Sequence, residues 1–311
     1  MSDHPPDFHP ELRRARWIPP FAVGPRGAAV MRHVPVRSQR PPAGVAVAEV
    51  AVSPHASVRL IRPAAIAAPV PVLLWIHGGG HLFGAPEQDD AVSFRLAQEL
   101  GIAVAALRYR LGAVAPAPAS LEDGHAALAH LAAHGEELGV DVAHLAIGGA
   151  SAGGGLAAGL VQEVHDRGSA AVALQLLVYP MLDDRTVVRP ERAPPHVRMW
   201  TPGSNAHGWR AYLGREPGGA AVPASWAPAR REDLTGLPPA WIGTGTLDLF
   251  HDEAVDYAQR LRATGTPCDL VEVAGAFHGF DQLFPRTAVV AQFQRAQREA
   301  LRAAGIVAPG R

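Results

Sequence analysis

The sequence Gly-Ala-Ser-Ala-Gly at residues 149–153 constrains the fold more than any other feature of this chain. It closely follows residues 144–147, predicted as a strand, and opens residues 152–166, predicted as a helix of small side chains. A chain that turns this sharply needs small flanking residues, because a Cβ there would clash with the backbone. The pattern is typical of a nucleophile elbow centred on Ser151. The alternative is a glycine-rich helix start that binds a phosphate, but the spacing of a dinucleotide fingerprint and an acidic ribose partner are both missing.

Short apolar runs alternate with segments of helical spacing from residue 46 onwards. Residues 70–76 form a continuous apolar run, which is typical of a strand buried on both faces. Residues 46–52 and 57–62 are predicted to pair across a turn. Further strands are predicted at 102–107, 144–147, 172–179, 240–244 and 269–273, and helices at 87–100, 120–138, 152–166, 252–264 and 287–304. This alternation predicts an α/β fold with a mostly parallel sheet of about eight strands and helices on both faces.

Capping residues mark the ends of two predicted helices. Gly101 follows the helix at 87–100 and is expected to cap its C-terminus. Ser120 is expected to be the N-cap of the next helix, with Asp123 in the position that completes a capping box.

The length of 311 residues suits one large α/β domain better than two separate ones. Residues 1–45 are rich in Pro and Arg and are predicted to form an N-terminal arm, which either packs on the rest of the chain through Phe8, Trp17 and Phe21 or forms a flexible tail. Residues 181–237 are rich in Pro, Gly and Trp and too long for an ordinary connection, so we expect a cap insertion there. Four aromatic residues of this insertion could line an apolar pocket or pack the cap on the core: Trp200, Trp209, Tyr212 and Trp226.

Charge and composition exclude several classes of protein. The net charge of −1 argues against a dedicated binder of nucleic acid or of an anionic membrane. One cysteine, Cys268, allows neither an internal disulfide nor a zinc site of several cysteines, and indicates a reduced, cytoplasmic setting. All 28 basic residues are Arg, which excludes a Schiff-base lysine and a Ser-Lys dyad. We expect no signal peptide and no membrane span, because no apolar run is long enough for either. We also expect no metal site, because four candidate histidines share no helix face: His81, His196, His207 and His251.

Three consecutive glycines after His77 follow the predicted strand at 70–76. Glycines at a strand end let backbone N–H groups point into a cavity, where they can stabilise a tetrahedral oxyanion. We assign the donors of such an oxyanion hole to Gly79, Gly80 and the amide of Ala152. The alternative is a glycine-rich structural turn. His77 is expected to fix this loop by hydrogen bonding rather than to act as a base.

Asp248 and His278 each follow a predicted core strand, at the edge of the sheet where α/β proteins build their sites. The chain order is Ser, then acid, then His, as in α/β-hydrolases. His278 would take the proton of Ser151, and Asp248 would orient the imidazole. Asp252 is the second candidate for the acid. Asp248 could instead only cap the helix that begins near Asp252.

Together these motifs resemble the hormone-sensitive-lipase-like family of α/β-hydrolases, in its bacterial esterase branch. The resemblance covers about residues 45–305 and rests on five stretches: 77–80, 149–155, 179–186, 243–253 and 275–280. It implies an α/β-hydrolase catalytic domain at 46–311 with an eight-stranded core, and a cap built from the arm at 1–45 and the insertion at 181–237. It further implies a small-molecule ester substrate, no cofactor and a homodimer as the expected assembly.

The chain departs from this family's pattern at three places. Ala150 precedes the serine, where the family usually has Asp or Thr, and His81 follows the glycines, where a large aromatic residue is usual. Residues 108–114 lack the acidic residues of the family's Asp-Tyr-Arg-Leu-Ala-Pro-Glu stretch. None of these changes removes a member of the predicted triad, so they bear on the pocket and its supporting hydrogen bonds.

The leading hypothesis is a serine carboxylesterase that hydrolyses short- to medium-chain acyl esters through an acyl-enzyme. A second hypothesis keeps the triad and changes the bond to an amide, carbamate or lactone. A third is a non-catalytic ligand-binding protein with this fold, since fold alone does not decide function. The presence of His278 argues against this third hypothesis.

Overall fold

An eight-stranded sheet organises the chain in the computed structural model, which describes residues 7–20, 22–65, 68–189 and 196–310. The strands are β1 (Val45–Ala51), β2 (Ser57–Pro63), β3 (Val70–Ile76), β4 (Ala103–Arg108), β5 (Val140–Ala150), β6 (Leu174–Val178), β7 (Ala240–Gly245) and β8 (Cys268–Val273). Their order across the sheet is β1-β2-β4-β3-β5-β6-β7-β8. Only β2 runs antiparallel to its neighbours; all other pairs are parallel. The predicted α/β class with a mostly parallel sheet is confirmed.

Helices cover both faces of this sheet. They are α1 (Pro25–Met31), α2 (Asp90–Leu100), α3 (Ala119–Leu138), α4 (Ala152–Arg167), α5 (Pro202–Leu213), α6 (His251–Ala263), α7 (Phe280–Leu283) and α8 (Ala288–Ala303). In β3, Val72 and Leu74 belong to the hydrophobic cluster under α3, α4 and α6, whereas Leu73 and Trp75 belong to the cluster under α2 and α8. Alternate side chains of one strand therefore build two cores, which explains its continuous apolar sequence. Of the helices in the described residues, none is long and apolar enough to cross a membrane.

The predicted cap of helix α3 is wrong. The helix starts at Ala119 with Pro118 as its N-cap residue, and Ser120 is buried within its first turn. The side chain of Asp123 accepts hydrogen bonds from the backbone N–H and the guanidinium of Arg110 instead of capping the helix. A charged, forked donor makes stronger bonds than a backbone amide, so it captures this carboxylate. By contrast, Gly101 ends α2 in the left-handed conformation, with φ of 68°, as the sequence predicts.

The N-terminal arm lies against two other parts of the chain. The His9 N–H donates to the carbonyl of Gly275 at 2.9 Å, in the loop before α7. The Val23 N–H donates to Ser204 Oγ at 2.8 Å, and Arg198 Nε donates to the carbonyl of Ala15 at 3.1 Å. These bonds tie the arm to the insertion, whose described residues form α5 and short 3₁₀ helices and no strand.

Parts of both predicted regions lie outside the described residues. These are residues 1–6 and Phe21 of the arm, and residues 190–195 of the insertion. The division into an arm at 1–45, a catalytic domain at 46–311 and a cap insertion at 181–237 stays a prediction.

Candidate active site

Ser151 stands at the junction of β5 and α4 in a strained backbone conformation, with φ of 57° and ψ of −123°. The neighbouring glycines are required by contact. A Cβ on Gly149 would lie 2.5 Å from the carbonyl oxygen of Ile76, and one on Gly153 would lie 2.0 Å from that same oxygen. The Ser151 N–H donates to the carbonyl of Val178 at 2.9 Å, which anchors the turn to β6. Strand packing thus holds the serine at the carboxyl edge of the sheet.

Ser151, His278 and Asp248 form one chain of hydrogen bonds. His278 Nε2 lies 2.9 Å from Ser151 Oγ, and His278 Nδ1 lies 2.8 Å from Asp248 Oδ2. All three side chains are buried. A carboxylate on Nδ1 fixes the proton there, which leaves Nε2 free to accept the serine proton. The arrangement can therefore generate a nucleophilic alkoxide at Ser151.

The two candidate acids differ in what they face. Asp252 is 72% exposed and contacts the ring of His251 at 3.1 Å. Asp248 is fully buried and uses its two oxygens for different partners. Oδ2 faces His278, while Oδ1 accepts the Phe250 N–H at 2.9 Å, next to the start of α6. Asp248 does not cap α6, whose N-cap residue is Phe250 with no side-chain cap bond. One of its oxygens fixes the preceding turn and the other faces the imidazole.

Of the three predicted oxyanion donors, Gly79 and Gly80 line the same cavity as Ser151, and Ala152 follows the serine in the chain. Gly79 and Gly80 have φ of 117° and 61°, values that favour glycine. A Cβ on Gly79 would lie 2.0 Å from the carbonyl oxygen of Phe83, so the loop cannot accept a side chain there. Ala152 is the first residue of α4, whose first N–H groups have no partner within the helix. Within the described residues, no protein acceptor takes the N–H of any of these three donors.

His77 fixes the glycine loop through hydrogen bonds and ring stacking. Its Nδ1 lies 2.8 Å from the carbonyl oxygen of Gly78, and its ring stacks on Tyr109 with centroids 4.5 Å apart. The Tyr109 hydroxyl donates to the carbonyl of His77 at 2.9 Å. Burial lowers the pKa of His77 to about 4, so the ring is neutral near pH 7 and its Nδ1–H can donate to Gly78. The expected role of His77 in fixing the loop agrees with this geometry.

A cavity of about 180 Å³ opens beside Ser151 and His278. Phe83, Met199 and Trp200 supply its large apolar walls. The Trp200 ring lies directly on the glycine loop: a Cβ on Gly80 would be 1.9 Å from its Cη2. Of the four aromatic residues of the insertion, Trp200 therefore lines the cavity, as the first interpretation expects. The other three lie outside this cavity.

His81, one of the three departures from the family pattern, does not line this cavity. It has φ of 62°, is buried, and stacks on Tyr212 with centroids 4.0 Å apart, near Trp209. Burial lowers its pKa to about 3, so the ring is neutral near pH 7. His81 and Tyr212 thus pack α5 behind the glycine loop, and the indole of Trp200 occupies the position next to the serine.

Two buried carboxyl groups lie behind the triad, and no sequence pattern indicated them. The Tyr179 hydroxyl donates to Asp281 at 2.8 Å, and the Tyr179 ring contacts the His278 ring edge-on at 4.8 Å. The Trp75 indole N–H donates to Asp89 at 2.7 Å. Asp281 and Asp89 line one cavity of about 220 Å³, which shares Tyr179 with the cavity beside the serine. Tyr179 and Asp281 are 102 residues apart, so no local pattern could have paired them.

The burial of the Asp89 carboxyl group leads us to expect that the stability of the protein depends on pH. Desolvation, aided by the charge of Asp281, raises the pKa of Asp89 from 3.8 to about 7. The folded chain therefore holds this proton more tightly than the unfolded chain, and that stabilisation is lost as the pH rises from about 4 to above 7. Asp89→Asn keeps an oxygen for Trp75 and has no charge to bury. We expect it to exceed the wild type in stability by up to about 4 kcal/mol at about pH 8, but by less than half of that at about pH 5, where the unfolded chain has already released this proton.

Urea unfolding of both proteins at the two pH values measures this difference. The exposed Asp269→Asn variant serves as the matched control and should show no such pH-dependent gain. A gain of equal size at both pH values would contradict the assigned cause.

In the ranges 7–20, 22–65, 68–189 and 196–310, no group of three or more His, Cys, Asp or Glu side chains is arranged to hold a metal ion.

Comparisons with known proteins give a consistent result. A family model described as alpha/beta hydrolase fold matches residues 73–282. The esterase LipI of Mycobacterium tuberculosis is 33% identical over 215 residues, which cover 68% of this chain and 66% of LipI. The carboxylesterase NlhH of the same organism is 30% identical over 288 residues, covering 89% of this chain and 78% of NlhH. A solved structure of a bacterial heroin esterase superimposes with a TM-score of 0.84 at 36% identity, covering 96% of this chain and 98% of that one.

Proposed function

The chain belongs to the hormone-sensitive-lipase-like branch of the α/β-hydrolase-fold family, and on this premise we propose that it is a serine carboxylesterase. The match spans just under two thirds of LipI, so the activity of the whole protein is inferred from the site. The observation that carries the proposal is the hydrogen-bonded chain from Asp248 through His278 to Ser151, which ends beside a cavity. Relatives named esterase and carboxylesterase support the same reaction class.

In the proposed reaction, Ser151 Oγ attacks the ester carbonyl carbon while His278 Nε2 takes the hydroxyl proton. Asp248 holds the imidazolium and stabilises its charge. The tetrahedral intermediate collapses, the carbon–oxygen bond to the alcohol breaks, and His278 gives its proton to that oxygen. A water molecule then attacks the acyl-enzyme by the same proton route and releases the acid. The mechanism uses no cofactor.

The negative charge of each tetrahedral intermediate is assigned to the N–H groups of Gly79, Gly80 and Ala152. Preorganised donors in a site that excludes water stabilise such a charge strongly, and loss of one donor costs about 10²- to 10³-fold in rate. Two observations support the assignment: within the described residues these N–H groups have no protein acceptor, and Gly79 and Gly80 line the cavity that also contains Ser151.

Cavity size supports short acyl groups as the preferred substrates. A cavity of roughly 150 Å³ holds one benzene ring, and the space beside Ser151 measures about 180 Å³. We infer that acetyl to butanoyl groups fit without rearrangement and that the alcohol part extends towards the opening. Chains beyond this size need Trp200 or Met199 to move.

Two further proposals concern the setting of the enzyme. Cys268 is a buried free thiol, which suits a reduced, cytoplasmic environment. The homodimer expected from the family resemblance stays a prediction, and analytical ultracentrifugation of the purified protein tests it.

Hydrolysis of p-nitrophenyl esters from acetate to decanoate tests the function. We expect turnover with a maximum at short chains, and a fluorophosphonate probe should label Ser151, as mass spectrometry of the tryptic peptides can show. Matched amide and lactone substrates distinguish the esterase from the second hypothesis, in which the same triad cleaves another acyl bond. Faster turnover of either substrate than of the ester would favour that second hypothesis. A folded protein that neither hydrolyses these substrates nor reacts with the probe would instead support a binding role.

Trp200→Ala should change the chain-length profile. Removal of the indole extends the cavity towards α5, so kcat/KM for the octanoate ester should rise at least about tenfold relative to the acetate ester. Trp226→Ala is the matched control, because this tryptophan belongs to the same insertion but contacts Arg215 outside the cavity. An unchanged profile in Trp200→Ala would show that the indole does not limit acyl length.

A further inference from the structure

The near-neutral charge of the whole chain conceals a strong asymmetry. Residues 1–45 contain seven arginines against three carboxylates, Asp3, Asp7 and Glu11, and carry a formal charge of +4. Since the whole chain carries −1, residues 46–311 carry −5. The expectation that no membrane partner exists rested on the total charge, which averages over these two regions.

The arginines of the arm also differ from the others in their partners. Among the residues that the structure describes, none of the seven forms an ion pair. Twelve of the nineteen described arginines outside the arm do form one. Within the described part of the chain, the arginines of the arm therefore have no carboxylate partner, and their charge is available to an anionic partner.

Exposed apolar side chains concentrate in the same segment. Five of the eight large hydrophobic residues exposed in the described structure belong to the arm, led by Trp17 at 80% and Val30 at 66%. A sixth, Val114, lies next to Ala113, whose carbonyl accepts a hydrogen bond from Arg32. We call the five together with the seven arginines the arm patch: Trp17, Val30, Met31, Val34 and Val36, with Arg13, Arg14, Arg16, Arg26, Arg32, Arg37 and Arg40.

The first part of the arm is attached beside the candidate active site. Phe8 packs edge-on against Phe277, the residue before His278, with ring centroids 6.0 Å apart. Arg198, which precedes the cavity wall residues Met199 and Trp200, donates to the carbonyl of Ala15. A partner that binds Arg13, Arg14, Arg16 and Trp17, which flank Ala15 in the chain, is thus held near the cavity that contains the serine.

We propose that the arm patch docks the protein peripherally onto an anionic lipid surface. Uncompensated arginines next to exposed Trp, Val and Met side chains match such a surface, since guanidinium groups pair with lipid phosphates and the apolar side chains enter the interface. A second copy of this chain fits worse. A two-fold dimer through the patch would bring it against itself and place fourteen unpaired arginines in one interface. Nucleic acid would leave the aliphatic side chains without a partner.

Vesicle flotation of the full chain tests the proposal. The probes are vesicles of pure phosphatidylcholine and of phosphatidylcholine mixed with phosphatidylglycerol. We expect binding to the mixed vesicles alone, and loss of that binding at about 1 M salt, where the screening length is about 3 Å. Equal binding to both vesicle types, or none at low salt, would overturn the proposal.

Substitutions assign the binding to the arm. Arg13→Gln, Arg14→Gln and Arg16→Gln combined should weaken binding more than about tenfold, and Trp17→Ser should weaken it further. The matched control combines Arg286→Gln, Arg295→Gln and Arg302→Gln, three exposed arginines outside the arm that form no ion pair within the described residues. Equal weakening by both triple variants would indicate attraction to total charge and would contradict a specific surface.

Self-association is measured in parallel. If sedimentation velocity shows a dimer that Trp17→Ser dissociates, the patch is an interface between copies of this chain and the lipid proposal fails. None of these readouts uses turnover, so failure of the esterase assignment would leave the docking result unaffected.

Discussion

Replacing Ser151 by alanine is expected to lower kcat for p-nitrophenyl acetate by about 10⁵-fold or more. The variant removes only Oγ, the atom that would form the bond to the acyl carbon and that lies 2.9 Å from His278 Nε2. Alanine has the same Cβ as serine, so it fits the strained turn at φ of 57° no worse. The remaining rate over water should come from the N–H donors and from substrate binding.

Two measurements separate loss of the nucleophile from loss of the fold. Circular dichroism and urea unfolding of Ser151→Ala should match the wild type. Ser169→Ala, which changes an exposed serine after α4, should keep full activity and serves as the matched control. Substantial activity in Ser151→Ala, together with probe labelling at another residue, would exclude Ser151 as the nucleophile.

Asp248→Asn should lower kcat/KM by about 10⁴-fold. The asparagine amide would present a donor to His278 Nδ1, which stabilises the tautomer with its proton on Nε2. That nitrogen could then no longer accept the serine proton. The asparagine oxygen can still accept the Phe250 N–H, so the turn before α6 should survive. The variant therefore tests the acid role separately from the structural one.

Asp252→Asn is the matched control for this prediction. Its carboxylate is exposed and faces His251, so the variant should keep nearly the activity of the wild type. If Asp252→Asn lost activity while Asp248→Asn retained it, Asp252 would be the acid and the geometry around His278 would need another explanation.

Local patterns predicted most of the fold because each depends on residues close in sequence. The apolar run at 70–76 coincides with β3, and Gly101 ends α2. The capping box predicted from Ser120 and Asp123 does not form, because the Asp123 carboxylate binds the guanidinium of Arg110 instead. Strand β5 begins at Val140, four residues before the predicted start at residue 144. Its first residues pair with β3 although they lie outside the apolar segment on which the prediction rested. These errors arise where a tertiary partner outweighs a local preference.

Residue patterns alone predict the α/β class, the tight turn at Ser151 and the short set of polar residues at the carboxyl ends of strands. Such features follow from periodicity and from the steric demands of glycine, which act within a few residues. The three-dimensional fold, in contrast, is what brings Asp248 to face His278 and Trp200 to line the cavity. His278 meets a serine 127 residues away and a carboxylate 30 residues away. The order in which parallel strands assemble sets such distances, and no local pattern contains that order.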